Sequence, residues 1–356
     1  MYYALIMAGG SGTRLWPLSR NGRSKQSLKF IGNRSMFQQA VERLAPLFPL
    51  EQIFVVTRDE QSALLSSQCP DLPSGNFIVE PMGRGTAPAI GLAAIHLQQR
   101  DPAAIMAVLT ADHHIAETER FRQVLQAASL LAADGHLITL GIKPSSPSTG
   151  FGYIHQGKSL GSVKGFPVFT VVRFTEKPDP EMALHMVNCG EYSWNSGMFI
   201  WRVDRILEEI ERQMPELYAQ LNEVEASIGK PDYAPVLSRV WPQVAKQTID
   251  YGVMEGARQV SVIPVDIGWS DIGSWGSLLE LLRKDQDGNI LIGPSLEIDT
   301  HNTLVFGDKR LIATIGVEGM IIVDTEDALL VCSKDRDQDV REIVEQLKAN
   351  QQNEWL

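Results

Sequence analysis

The sequence predicts an α/β protein built on a mainly parallel sheet, followed by a small domain of short β segments. Two observations carry this. Over the first 140 or so residues, apolar runs of strand length alternate with segments of helical periodicity, the pattern of a sheet covered on both faces. From Asn289 onward, short apolar runs recur at a spacing of roughly eight residues, separated by Gly, Asp and Asn. In such sheets ligands sit at the carboxyl ends of the parallel strands. Here the first strand runs directly into a glycine-rich loop.

The elements follow in order. Tyr2 to Met7 is an apolar run of strand length. Ser35 is placed to cap a helix whose apolar face is Phe37, Ala40, Val41 and Leu44, at spacings of three and four. Ile53 to Thr57 and Asn76 to Glu80 read as strands, Ala87 to Gln99 as a helix, and Ala104 to Leu109 as a buried strand. Phe121, Val124, Leu125 and Ala128 mark another helix, stopped by Gly135, before a strand at Leu137 to Leu140. Pro144 to Gly152 is a loop, and Val168 to Glu176 a long strand. Trp194 to Trp201 is expected to be a turn and a short strand. Val203 to Ala226 is helical with an interruption at Pro215. Val260 to Val265 is a strand and Gly276 to Lys284 a short helix. The β segments beyond them suggest a small β-roll or short β-helix, closed by a helix with Val340, Ile343, Val344 and Leu347 on one face. The expected division is residues 1–286 and 287–356, with the boundary near Asp285 to Asn289.

Composition bounds the function. A net charge of −11 argues against general binding to nucleic acid or to an anionic membrane. Cys69, Cys189 and Cys332 are far apart and odd in number, which fits neither a disulfide framework nor a zinc site and favours a reducing, cytoplasmic setting. The opening apolar run is too short to span a membrane and lacks a basic segment before it.

The loop after the first strand reads Ala8-Gly9-Gly10-Ser11-Gly12-Thr13-Arg14-Leu15, with Lys25-Gln26 behind it. Its glycines let backbone approach a ligand, and their N–H groups can converge on phosphate oxygens. Arg14 adds a planar, permanently charged fork and Lys25 a mobile point charge. The loop is neither a dinucleotide fingerprint, since Leu15 stands at the third glycine position, nor a Walker A loop.

Other segments carry chemistry more weakly when taken singly. Glu80-Pro-Met-Gly-Arg-Gly-Thr-Ala-Pro88 opens a helix, with Thr86 as a candidate N-cap and Arg84 as a candidate ligand contact. Asp112 lies just past a buried strand, where a carboxylate can hold Mg²⁺ on phosphates or serve as a cap or ion-pair partner. Gly152, Glu176, Lys177 and Asn195 supply close backbone approach, a carboxylate, an ammonium and an amide, the groups a sugar phosphate needs. In isolation they also read as a hairpin glycine, a surface ion pair and a turn residue. Ile249-Asp-Tyr-Gly-Val-Met-Glu255 reads as a helix packing Tyr251 and Met254, and Trp269-Ser-Asp-Ile-Gly-Ser-Trp275 as a rigid turn around Asp271.

Together, in this order and over almost the whole chain, these motifs resemble the sugar-nucleotide pyrophosphorylases, and within them the mannose-1-phosphate guanylyltransferases. The resemblance implies a Rossmann-like nucleotidyltransferase domain with a small C-terminal β-helix, and an enzyme that joins GTP and mannose 1-phosphate to give GDP-mannose and pyrophosphate. It implies catalytic roles for Arg14 and Lys25, and nucleotide contacts at Ala8, Gly9, Gly10, Gly12, Thr13, Glu80, Arg84, Thr86 and Pro88. It places the sugar phosphate at Gly152, Glu176, Lys177 and Asn195, and Mg²⁺ on Asp112 and Asp271. A homodimer is expected as well. Four positions depart from the family pattern: Ser24 for Pro, Gly85 for Asn, Thr110 for Pro and Gly252 for Ala. Loss of the proline at 24 is expected to loosen the loop. The competing readings are the same chemistry with glucose 1-phosphate and UTP or dTTP, and a catalytically silent regulatory subunit. The latter is disfavoured because Arg14, Lys25 and both aspartates are present. A fused isomerase is not expected in a chain of 356 residues.

Overall fold

The computed structural model describes residues 1–356 apart from Ser11 and Asn21. The glycine loop is therefore described at Gly9, Gly10 and Gly12, while its Ser11 lies outside the described residues. The chain forms two compact units. One comprises residues 1–9, 40–111 and 115–269, the other residues 10–39, 112–114 and 270–356.

The first unit holds a nine-stranded sheet in the order Phe77–Glu80, Ile53–Arg58, Tyr2–Met7, Ile105–Thr110, Tyr192–Arg202, Leu137–Ile142, Val260–Val265, Phe166–Thr175 and Tyr153–Val163. Tyr192–Arg202 is inserted antiparallel between Ile105–Thr110 and Leu137–Ile142, and Phe166–Thr175 runs antiparallel to both its neighbours. The other strands share one direction. The central strands are apolar on both faces, as a doubly covered sheet requires: Ala4, Leu5 and Ile6 are fully buried. The core on one face is packed by the helix Thr86–Arg100, through Ile90, Ala93, Ala94 and Leu97, and by Ile206, Leu207 and Ile210 of the helix Val203–Gln213. Pro215 breaks the helical run as expected. It opens a new helix, Pro215–Glu225, where its missing N–H has no intrahelical partner to lose.

One expectation is corrected here, and one element is added. Trp194 to Trp201 is not a turn followed by a short strand but lies within the eleven-residue strand Tyr192–Arg202. Ladders at 192–195 and at 199–202 carry the backbone through, and the irregularity between them is a register shift opposite Thr139 and Gly141 with a left-handed Gly197 at φ 67°. The helix Asp59–Gln68 is an additional element. It buries only Gln61 and Leu65, so it shows no apolar stripe to read. Among the described residues no helix is long and apolar enough to cross a membrane.

The second unit contains the β-helical coil. Ile290–Ile292, Leu304–Phe306 and Met320–Asp324 stack in parallel, with Leu329–Ser333 added antiparallel. Ser295–Ile298 stacks in parallel on Ile312–Ile315. Inside the coil the Asn289 amide donates to the Thr300 carbonyl at 2.7 Å and its carbonyl oxygen accepts from the Thr303 N–H at 3.0 Å, so this buried side chain bridges successive turns. The apolar face of the coil does not close on itself. Ile290, Leu304, Ile321, Val323 and Leu330 form one core with Val340 and Val344 of the terminal helix, with Leu15, Trp16, Leu18, Leu28 and Phe30 of the loop segment, and with Trp275 and Leu278. The Trp16 indole donates to the Trp355 carbonyl at 2.8 Å, and the Trp275 indole to the Trp16 carbonyl at 3.2 Å.

Trp275 is fully buried in this core. Trp275→Ala is expected to cost about 3–5 kcal/mol, read as a lower urea midpoint, and to speed amide hydrogen exchange in residues 13–30. A loss under about 1 kcal/mol with unchanged exchange there would separate the loop segment from the coil energetically.

Candidate functional site

In the second unit the loop, the 112–114 segment and the turn at 270–273 form one cavity of about 300 Å³, lined by Gly12, Thr13, Arg14, Lys25, Asp112, His113, Asp271 and Gly273 among others. Its centre is Lys25, a residue only 5% exposed. The ammonium donates to Asp112 Oδ2 at 2.8 Å and to the Asp271 main-chain oxygen at 2.5 Å. Burial pulls the Asp112 carboxyl upward, but the Lys25 charge beside it, with help from His113, outweighs this and holds it below the ordinary carboxylate range. Asp271 Oδ1 accepts from the Gly273 N–H at 3.0 Å, which fixes the turn. Arg14 lies exposed on the single turn Thr13–Leu15 at the rim.

Gly12 is required where it stands. Its φ is 62°, and a Cβ there would overlap the Cβ of Lys25. Ser24 precedes the turn Lys25–Ser27 with φ −66° and ψ 154°, and it is 1% exposed. That φ is the value a proline ring imposes. Burial and the Ser27 N–H bond to the Ser24 carbonyl at 3.0 Å accompany this proline-like conformation.

Gly10 also belongs to the second unit, and the first unit carries the other predicted residues in two groups. At the ends of the strands Tyr2–Met7 and Phe77–Glu80, Ala8 is buried and Gly9 lies where an added Cβ would stand 3.3 Å from a Glu80 oxygen. Glu80 is itself 5% exposed, and its Oε2 has no hydrogen-bond partner among the described residues. Burial pushes its pKa up to about 7, against the Arg84 N–H and the nearby Arg58 charge, which pull it down. The Arg84 guanidinium donates to the Pro242 carbonyl. The helix cap is Gly85, at φ 91°, rather than Thr86. The Thr86 hydroxyl instead accepts from the Ile249 N–H at 2.8 Å. The Gln247 N–H donates to the Arg84 carbonyl at 3.0 Å and the Gln247 carbonyl accepts from the Ala87 N–H at 3.1 Å, so residues 247–249 strap this loop. A Cβ at position 85 would collide with the Gln247 carbonyl, which accounts for glycine there. Pro88 is buried in the first turn of the helix.

The second group gathers Gly152, Glu176, Lys177 and Asn195. The Asn195 N–H donates to the Gly152 carbonyl at 2.8 Å, and a Cβ on Gly152 would press on Glu176 Oε2. Lys177, at φ 43°, forms an ion pair with Glu176. The sequence reading missed one member, Asp250, whose Oδ1 accepts from the Asn195 amide at 2.7 Å. Burial raises its pKa, with a contribution from the Glu176 charge. The signal lay in the Asp-Tyr-Gly-Val-Met-Glu stretch, read as packing. Met254 is indeed buried, but Tyr251 is 53% exposed, so that stretch is not simply a packed helix.

The sequence matches the Nucleotidyl transferase family over residues 3–288 and the MannoseP isomerase/GMP-like beta-helix domain over residues 293–347. Curated relatives include mannose-1-phosphate guanylyltransferases from Klebsiella pneumoniae and from Escherichia coli, each 40% identical over 358 residues, covering 100% of this chain and 76% of the relative. Among solved structures, mannose-1-phosphate geranyltransferase from Thermus thermophilus superposes with a TM-score of 0.86 at 33% identity, covering 98% of this chain and 99% of that one.

Glu80 supplies a pH test. Its pKa is raised on folding, so its neutral form favours the folded state below the ordinary carboxylate range, and that advantage is lost as pH rises through about 7. Stability measured from pH 5 to 8 is expected to fall in the wild type relative to Glu80→Gln, by up to a few kcal/mol, since each tenfold change in proton affinity is worth about 1.4 kcal/mol. Parallel curves for the two proteins would show that Glu80 does not titrate in this window.

Proposed function

The chain belongs to the nucleotidyl transferase family, in its mannose-1-phosphate guanylyltransferase branch, and from this we propose that it transfers a guanylyl group from GTP to mannose 1-phosphate, giving GDP-mannose and pyrophosphate. The observation that carries the reading is the convergence of Lys25, Asp112 and Asp271 with the Gly12–Arg14 backbone on one cavity.

In this reading a phosphate oxygen of the sugar phosphate attacks the α-phosphorus of GTP in line with the departing pyrophosphate. The nucleophile is already ionised near neutral pH, so no protein base is needed, and the work of the site is positioning and charge neutralisation. The Gly10 and Gly12 backbone and Thr13 hold the polyphosphate. Arg14 and Lys25 neutralise the leaving pyrophosphate. Ala8, Gly9, Glu80, Arg84, Thr86 and Pro88 form the nucleoside side, where Arg84 acts through the loop it braces. Glu176 and Asn195 bond sugar hydroxyls, Gly152 admits the ring, and Lys177 holds the sugar's phosphate. Asp250 orients the Asn195 amide.

Mg²⁺ is part of the proposal. Asp112 Oδ2 and the Asp271 carbonyl oxygen already share a cation, the Lys25 ammonium, and both residues line the same cavity. No group of three or more His, Cys, Asp or Glu side chains suited to a metal occurs among the described residues. Two aspartates fit Mg²⁺, which keeps waters and substrate phosphates as its other ligands. When bound, the ion would neutralise phosphate charge. A cytoplasmic location rests on the three free cysteines, and a homodimer on the family resemblance.

Two experiments test this. In a matrix of nucleoside triphosphates against sugar 1-phosphates read by pyrophosphate release, GTP with mannose 1-phosphate is expected to give the highest kcat/KM. A higher value for UTP or dTTP with glucose 1-phosphate would overturn the branch-specific reading. For the metal, Asp112→Asn and Asp271→Asn are each expected to lower kcat by about 10²- to 10³-fold and to raise the Mg²⁺ requirement. The double variant should cost far less than the product of the singles. Multiplicative losses with unchanged Mg²⁺ dependence would show that the aspartates do not share an ion.

A further inference from the structure

Three aromatic side chains of the first unit meet behind the sugar-phosphate positions. Phe151 lies 4.9 Å from Trp194 and 5.3 Å from Trp269 between ring centroids, and the two indoles are 6.5 Å apart, all in tilted or edge arrangements. Such pairs stabilise specific geometry beyond their buried area. Two of the three immediately precede a residue of the sugar-phosphate group: Phe151 stands before Gly152, and Trp194 before Asn195. Trp194 is 6% exposed and pairs in register with Ile142 on one side and Tyr153 on the other, so it sits at the carboxyl end of Leu137–Ile142, where the 143–152 loop departs. Successive strand side chains point to opposite faces. With Trp194 directed to the aromatic cluster, the Asn195 amide is therefore directed to Asp250 on the other face. The loop is fastened to the same strand by the Asn195 N–H bond to the Gly152 carbonyl, and the Tyr153 hydroxyl holds the Ser148 carbonyl at 2.9 Å.

We propose that Phe151, Trp194 and Trp269 form an aromatic anchor that sets the positions of Gly152 and Asn195 for the sugar 1-phosphate, a role that rests on the proposed function. They are positioning residues, acting by shape. The Trp194 Nε1 has no hydrogen-bond partner among the described residues although it is buried, so the indole is held by its ring and not by its N–H. Phe151 is a half-buried loop residue with the same packing duty.

The test compares Phe151→Ala, Trp194→Ala and Trp194→Phe by steady-state kinetics with GTP and mannose 1-phosphate. Misplacing a binding group by about 1 Å can cost up to about 10²-fold. Phe151→Ala and Trp194→Ala are expected to raise KM for mannose 1-phosphate about 10-fold or more, with KM for GTP within about twofold. Trp194→Phe, which keeps a ring and discards the unpartnered N–H, is expected to restore KM to near the wild-type value. An unchanged KM for the sugar phosphate in Phe151→Ala overturns the anchor, and this variant is informative even if Trp194→Ala fails to fold. A Trp194→Phe protein as impaired as Trp194→Ala overturns the shape argument and assigns the indole N–H a direct contact. Equal rises in both KM values also overturn it, since they mark general loss of structure. Absence of wild-type turnover with mannose 1-phosphate strikes at the proposed function instead, and the same comparison is then made with whichever sugar 1-phosphate the wild type uses.

Discussion

The bond network around the Lys25 ammonium organises the second unit. A buried cation without partners is expensive, and removing one member of such a pair leaves the other uncompensated. Asp112 and the Asp271 carbonyl satisfy it, and in doing so they join three stretches that are distant in sequence. The local backbone follows from this constraint. Gly12 has no side chain because Lys25 passes where one would be, and Ser24 is buried in an extended conformation at the entrance to the turn. Of the two oxygens bound to the lysine, only the Asp112 carboxylate compensates its charge, while the Asp271 main-chain oxygen ties the 270–273 turn to it.

The sheet was legible wherever side-chain pattern and backbone pairing agree. Apolar runs such as Tyr2–Met7 and Ile105–Thr110 have the length of buried strands and form them, and the Ser35 capping signal is realised: Ser35 Oγ accepts from the Gln38 N–H at 3.1 Å, while Gln38 Oε1 accepts from the Ser35 N–H at 2.9 Å. Misreadings fell where tertiary pairing overrides local signals. Tyr192–Arg202 contains Asn, Ser and Gly in a row, which suggests a turn, yet the ladders that flank this stretch before and after keep it within one strand. Asp59–Gln68 shows no apolar stripe because a polar residue, Gln61, shares its buried face with Leu65 while Leu64 is exposed.

The site was legible at the level of segments and less so at the level of bonds. The motifs named residues that gather, such as Gly152, Glu176 and Asn195, through the family resemblance, since each taken singly also reads as an ordinary turn or surface residue. The sequence could not show that Thr86 serves the 247–249 strap or that Asp250 holds the Asn195 amide, since both depend on contacts more than 50 positions apart along the chain. The glycine at 85 shows the same thing from the other side. In sequence it is a departure from a family pattern, whereas in space it is a steric requirement of the strap that crosses it.

The family ranges meet near residue 290, which invites treating the β-helical coil as a module that could be exchanged. The packing argues otherwise. Ile290, Leu304, Ile321 and Leu330 share one core with Leu15, Trp16, Leu28 and Phe30, so the floor of the 15–30 loop segment is made of coil residues. Recombination at that sequence boundary would pair one protein's loop with another's floor. Chimeras that keep residues 10–39, 112–114 and 270–356 from a single parent would preserve the interdigitated surface and the cavity lining, which makes this discontinuous block, not the contiguous C-terminal segment, the unit of inheritance for the cavity.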